Sequence, residues 1–123
     1  MRIKTSELSG IQLDWAVAKC EAVDIIPPER GQRYLYSQAF GNCYAPSRAC
    51  AGGWNISGPI IERERIASEC TFVDGQADGN RWFAEVGSIG ESFMEGPTAL
   101  IAAMRCYVAS RLGDEVDIPE ELK

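Results

Sequence analysis

Apolar residues recur with helical spacing in two stretches of the chain. In SGIQLDWAVAKCEAV, Leu13, Ala16, Val17 and Cys20 fall on one face of a helix. Ser9, followed by Gln12, has the spacing of a capping box, in which hydroxyl and amide satisfy the first backbone N–H groups reciprocally. Trp15 falls off the stripe, beside Ile11 and Ala18, and is expected at a second packing surface or a cleft. In GPTALIAAMRCYVASRLG, Leu100, Ile101, Met104, Val108 and Leu112 form a longer stripe. There Gly96 is predicted to cap the helix, Pro97 to sit in its first turn, and Gly113 to take the left-handed position at its end.

Between these helices the period changes. MRIKT alternates and predicts a short edge strand, and RYLYS a second strand. DIIPPER enforces an extended path, because paired prolines cannot sit in a helix interior. From Gln38 to Trp54 no period is sustained, which predicts a long loop; its aromatic content predicts that it packs. SGPIIERERI reads as a short helix with Ser57 or Gly58 as cap and Pro59 in the first turn. Its Glu62-Arg63-Glu64-Arg65 run fits a solvated face. SECTFVDGQADGNRWFAEV predicts a hairpin, with strands at Thr71–Val73 and Arg81–Val86 and turns at Asp74-Gly75 and Asp78-Gly79. GSIGESFMEG connects it onward, with room for a short strand. The predicted class is α+β: a small antiparallel sheet packed with two main helices, a short third helix and a long ordered loop.

Composition narrows the function classes. The 123 residues suit one domain, 1–123, with an acidic tail from about residue 114. The net charge of -6 disfavours general binding to nucleic acid. The nine Arg against three Lys favour ion-pair networks or recognition of an oxyanion. The chain has no His, which removes Cys-His and Ser-His-Asp catalysis. Its five Cys include no C-x-x-C pair and read as buried thiols, so neither a metal nor a cofactor is expected. No run reaches the ~20 apolar residues of a membrane span, and MRIKTSELSG lacks the apolar core of a signal peptide. A cytoplasmic location is expected.

The segments KTSELSGIQLDWAVAKCE, YAPSRACAGGWNISGPIIERERI and GPTALIAAMRCYVASRLGDEVDIPEEL resemble, in this order, the NinX-like family of small tailed-phage and prophage proteins. They cover more than half of the chain, while residues 67–95 match loosely. The resemblance implies a phage accessory protein in the cytoplasm of a bacterial host. The family is a domain of unknown function, so no catalytic residue carries over.

The candidate site centres on GGWNISGPII. A helix start at Gly58 would present unpaired N–H groups and partial positive charge to an anion. Trp54 offers a stacking face, Tyr44 a second aromatic, Asn55 and Ser57 hydrogen bonds, and Arg48 or Arg63 a partner for phosphate or carboxylate. The segment is not a P-loop, since no Lys-Ser/Thr follows the glycines. The competing reading is a capped helix with Trp54 buried as an anchor. The Gly96–Thr98 helix start has the same geometry, but Glu95 opposes an anion there. Arg105 lies on the apolar stripe, so it needs an acidic partner, Glu62 or Glu64, or lines a pocket against a ligand oxyanion. The tail acids Asp114, Glu115, Asp117, Glu120 and Glu121 read as a solubilising C-terminus.

The expected function is non-enzymatic: binding or sequestering a small anionic, nucleotide-like ligand to counter host defence. The alternative is an inhibitor that binds a host protein through the aromatic loop or an acidic face. A homo-oligomer, and an enzyme using carboxylates or an Asp/Glu-held metal, stay open.

Overall fold

The structure, a computed structural model, describes residues 1–40, 42–70, 81–86 and 92–123. The architecture is α+β. Strand β1 (Arg2–Lys4) leads to helix α1 (Gly10–Glu21), strands β2 (Leu35–Ser37) and β3 (Asn42–Tyr44), and helix α2 (Ala51–Glu64). Strands β4 (Ala67–Cys70), β5 (Trp82–Val86) and β6 (Ser92–Gly96) follow, then helix α3 (Ala99–Leu112) and strand β7 (Glu115–Asp117). Among the described residues the strands form three small antiparallel sheets rather than one: β1 with β7, β2 with β3, and β4-β5-β6.

Helix α3 is the centre of the fold. Leu100, Met104 and Val108 are buried as the stripe predicts, while Ile101 and Leu112 are half-buried. Ala102, Ala103, Cys106 and Tyr107 are buried too, so α3 is covered on nearly every side. It packs against β5 and β6 on one side and against α1 and α2 on others. The helix starts later than predicted. Thr98 is the cap, its Oγ1 accepting from the Ile101 N–H at 3.1 Å, and Gly96 ends β6. The reason is steric: a Cβ on Gly96 would lie 2.7 Å from the Ala102 nitrogen, so only glycine lets the strand end approach the helix. At the other end Gly113 has φ 88°.

Helix α1 buries Leu13, Ala16, Val17 and also Asp14. The predicted capping box does not form. The Ser9 hydroxyl makes no cap bond, and Gln12 donates instead to the Leu122 carbonyl at 2.9 Å. Both α1 and α2 end on a non-glycine residue in the left-handed region, Ala22 and Arg65. There the Val23 and Ile66 N–H groups reach back to the Ala18 and Ile61 carbonyls, both at 3.0 Å.

The expected strand Arg81–Val86 is observed as β5, and it pairs antiparallel with β4. Ala67 faces Glu85 and Cys70 faces Trp82. The expected strand Thr71–Val73 and both Asp-Gly turns lie outside the described residues. The acidic tail packs onto the domain. Ile3 pairs with Val116, the Met1 ammonium donates to the Ile118 carbonyl at 3.1 Å, and Val116, Ile118 and Leu122 are buried. The period-2 run EVDI turns its apolar members inward and its acids outward.

Candidate functional site

Helix α2 carries most of the predicted site, but it begins seven residues earlier than the Gly-Pro signal suggests, at Ala51 rather than Gly58. One glycine explains the start. A Cβ on Gly53 would sit 1.8 Å from the Arg48 carbonyl oxygen, so the first turn closes on the preceding loop only with glycine. Pro59 therefore lies inside the helix and cannot donate to the Asn55 carbonyl. Asn55 and Pro59 are both exposed, so water can satisfy that carbonyl. The predicted anion-binding helix start at Gly58 does not exist, and the unpatterned loop is shorter than expected.

The helix has two faces. Gly53, Ser57 and Ile60 point into the protein, and the Ser57 hydroxyl donates to the Pro46 carbonyl. Ala51, Trp54, Asn55, Pro59, Glu62 and Arg65 point outward, with Gly58 half-buried among them. Trp54 is 47% exposed, so the anchor reading is not what is observed. Gly58, one turn beyond it, has open space where a side chain would stand. The result is an indole edged by small or rigid residues.

The structure separates the predicted site residues. Trp54, Asn55 and Gly58 share the outer face of α2. Ser57 and Tyr44 are buried, Tyr44 with Phe40 edge-on at 4.9 Å between ring centres. Arg48 is exposed and stacks over the Tyr34 ring at 4.8 Å. Arg105, 7% exposed, donates to the Leu8 and Glu95 carbonyls at 2.7 and 2.8 Å. Glu62 and Glu64 are not its partners, because Glu64 faces Arg63 and Arg111 instead. Burial holds the Arg105 guanidinium below its ordinary pKa.

Arg63 belongs to a network that sequence reasoning missed. It grips the Glu21 carboxylate in two bonds of 3.1 and 2.6 Å and reaches Glu64 at 2.8 Å. Arg111 bonds the other Glu64 oxygen at 2.9 Å, and the Tyr107 hydroxyl donates to Glu21. The guanidinium carbons of Arg63 and Arg111 lie 5.9 and 5.4 Å from the Tyr107 ring centre. Hydrogen bonds from Arg63 hold Glu21 and Glu64 below the usual carboxylate range, and burial pushes the nearby Cys20 thiol up to about 11. The network ties together the C-terminal ends of α1, α2 and α3. The buried Asp14, 2% exposed, was also missed; it accepts from the Ser47 N–H at 2.8 Å. With Ser57 on Pro46 at mid-helix and the network at the C-terminal end, α2 is held at two points along its length, and its outer face is presented on a fixed helix.

Four clefts are found among the described residues. The largest, about 530 Å³, lies between β1, β7 and the end of α3, and is lined by Arg2, Lys4, Ser6, Met94, Leu112, Asp114 and Glu115. A second of about 360 Å³ lies beside Ile25, Ile26 and Ala39. A third of about 240 Å³ is lined by Trp15, Lys19 and Val23, which is where the off-stripe Trp15 reaches. The fourth, about 110 Å³, lies on β4 and β5. Trp54 lines none of them. Among the described residues no group of three or more His, Cys, Asp or Glu could hold a metal ion. No described helix is long and apolar enough to cross a membrane.

Among curated proteins, no relative matches the chain. The family described as "Bacteriophage P22, NinX" matches residues 4–111, from the end of β1 through all but the last residue of α3. The matched span contains the central helix, the three-helix network and the whole of α2, and the chain accordingly belongs to this NinX family of phage accessory proteins.

Proposed function

We propose that the protein acts by binding a protein of the bacterial host through the outer face of α2, with Trp54 at the centre of the contact. The exposure of Trp54 on a rigidly held helix face carries this reading. Ala51, Trp54 and Gly58 recur at the spacing by which an amphipathic helix lays its anchors into a partner's groove. Tryptophan is the residue most enriched at binding hot spots, and small neighbours let a partner close around the indole. Trp54 lines none of the four clefts, which suits a partner that supplies the concavity. Interference with a host defence is the role such binding gives an accessory protein.

A small anionic ligand is the second reading, supported by one observation. Cys50 provides no side-chain cap to α2, so the N–H groups of the first turn at Ala51, Gly52 and Gly53 are left to other acceptors. Against it, Tyr44, Ser57 and Arg105 are buried, and the exposed Arg63 is already paired with Glu21 and Glu64.

Affinity capture from host cells with the wild type and Trp54→Ala tests the first reading. One stoichiometric partner is expected, and it should be lost in the Trp54→Ala variant. Retention of that partner by Trp54→Ala sinks the reading. A thermal-shift panel of nucleotides separates the two. Saturating ligand at about a hundred times Kd adds about 2.7 kcal/mol of stability, several degrees in melting temperature. Such a shift, abolished by Arg48→Ala, favours the anionic ligand.

A further inference from the structure

The sheet β4-β5-β6 uses one face for the core. Trp82, Ala84, Val86 and Met94 turn toward the core, where β5 and β6 pack against α3. The other face follows from the register. One row across the strands reads Glu69, Phe83, Glu95; the next reads Ala67, Glu85, Phe93. Acid and aromatic therefore alternate along the strands and across them. Phe83 and Phe93 stack at 5.4 Å with planes 22° apart, and Phe93 is 58% exposed, the most of any large apolar side chain described. An antiparallel sheet with one face on the core ordinarily turns polar side chains to water. Two stacked phenyl rings there leave burial unused, at about 25 cal/mol per Å².

We propose that this outer face docks a cationic protein segment in which Arg or Lys alternates with apolar residues. The charge pattern selects the occupant. Three carboxylates frame the rings, so a guanidinium can stack on a phenyl face and still meet an acid. The 110 Å³ cleft between Ala67, Ser68, Glu69, Phe83 and Glu85 is several times the roughly 30 Å³ of a water, enough for one side-chain head group. A second copy of the chain would set the same three acids against themselves, on a molecule of net charge -6. Nucleic acid is repelled for the same reason. The surface shares no residue with the outer face of α2, so the two stand or fall separately.

The test is fluorescence anisotropy of a labelled peptide of alternating Arg and Phe, titrated with the full chain at low and at physiological salt. The variant Glu69→Gln/Glu85→Gln/Glu95→Gln is expected to weaken binding at least about tenfold, and Phe93→Ser about fivefold. The variant Glu7→Gln/Asp24→Asn/Glu29→Gln makes the same charge change at exposed positions elsewhere and is expected to cost less than about twofold. If Phe93→Ser fails to fold, the two charge variants decide. Absence of saturable binding by the wild type, or equal losses in both charge variants, overturns the proposal. So does a wild-type dimer in sedimentation that Phe93→Ser dissociates, which would give the face to a second copy.

Discussion

Asp14 sits on the inward face of α1 with one carboxylate oxygen on the Ser47 N–H. Burial raises its pKa from the ordinary 3.8 to about 6, and the hydrogen bonds from Ser47 only partly oppose that rise. The sign of the consequence is fixed. The folded chain holds the Asp14 proton up to a higher pH than the unfolded chain does, so folding loses stability as pH rises from about 4 to about 6. Glu21 and Glu64 act oppositely: their pKa values are lowered, so their contribution is present above pH 4.5 and is lost as pH falls through their folded pKa values. Asp14→Asn keeps an acceptor for Ser47 and removes the titration. Its stability relative to wild type should rise across pH 4 to 6, approaching roughly 2 kcal/mol. Parallel denaturation curves for the two proteins across that range would show the assignment to be wrong. Nothing in the residue pattern announced this acid. Asp14 lies between two apolar stripe positions, where a carboxylate reads as surface, and its partner is a backbone group thirty-three residues away.

At the scale of the element, α2 shows why local signals located the helix and misplaced its start. Gly-Pro is a common helix opening, and in α3 the prediction from it erred by only a few residues. In α2 the pair falls mid-helix, because tertiary contacts at Gly53 and Ser57 extend the helix backward through residues of low propensity. The two central glycines should behave oppositely. Gly58→Ala places a methyl in open space and should add about 0.5–1 kcal/mol of helix stability. Gly53→Ala drives a Cβ into the Arg48 carbonyl and should cost several kcal/mol, roughly 2–4 by analogy with other overpacked sites. Urea denaturation of both variants checks this, and similar effects in the two would contradict the packing described for the first turn. The exposed indole itself was legible only as a choice between open and buried. The choice depends on which face of α2 meets α3, and the period of this glycine-rich helix is too weak to settle that from sequence.

For the whole molecule, the α+β class and both main helices were readable from hydrophobic period. The division into three small sheets was not, because strand partners are set by long-range register. The tail is the clearest case. Its acids dominated the reading, while Val116, Ile118 and Leu122 supply the packing. Removing residues 114–123 withdraws those three side chains, each contributing about 1.5–3 kcal/mol on burial. The loss, roughly 5 kcal/mol, rivals the whole stability of many domains, so the shortened chain should lose its cooperative thermal transition by circular dichroism. Neutralising Asp114, Glu120 and Glu121 in the full-length chain should leave the transition within a few degrees. A truncated chain that melts like the wild type would restore the solubilising role.

The pairing of β1 with β7 also carries a kinetic consequence. Ile3 finds its partner only at Val116, and α3, on which the other elements pack, is encoded in the last quarter of the chain. During synthesis the earlier segments therefore have no central helix to close upon. Folding of this domain should wait until α3 and β7 have emerged, with long-range contacts closing late and apolar surface exposed in the interval. A nascent chain of this kind depends on speed of completion, or on holding by chaperones, for its yield inside the cell.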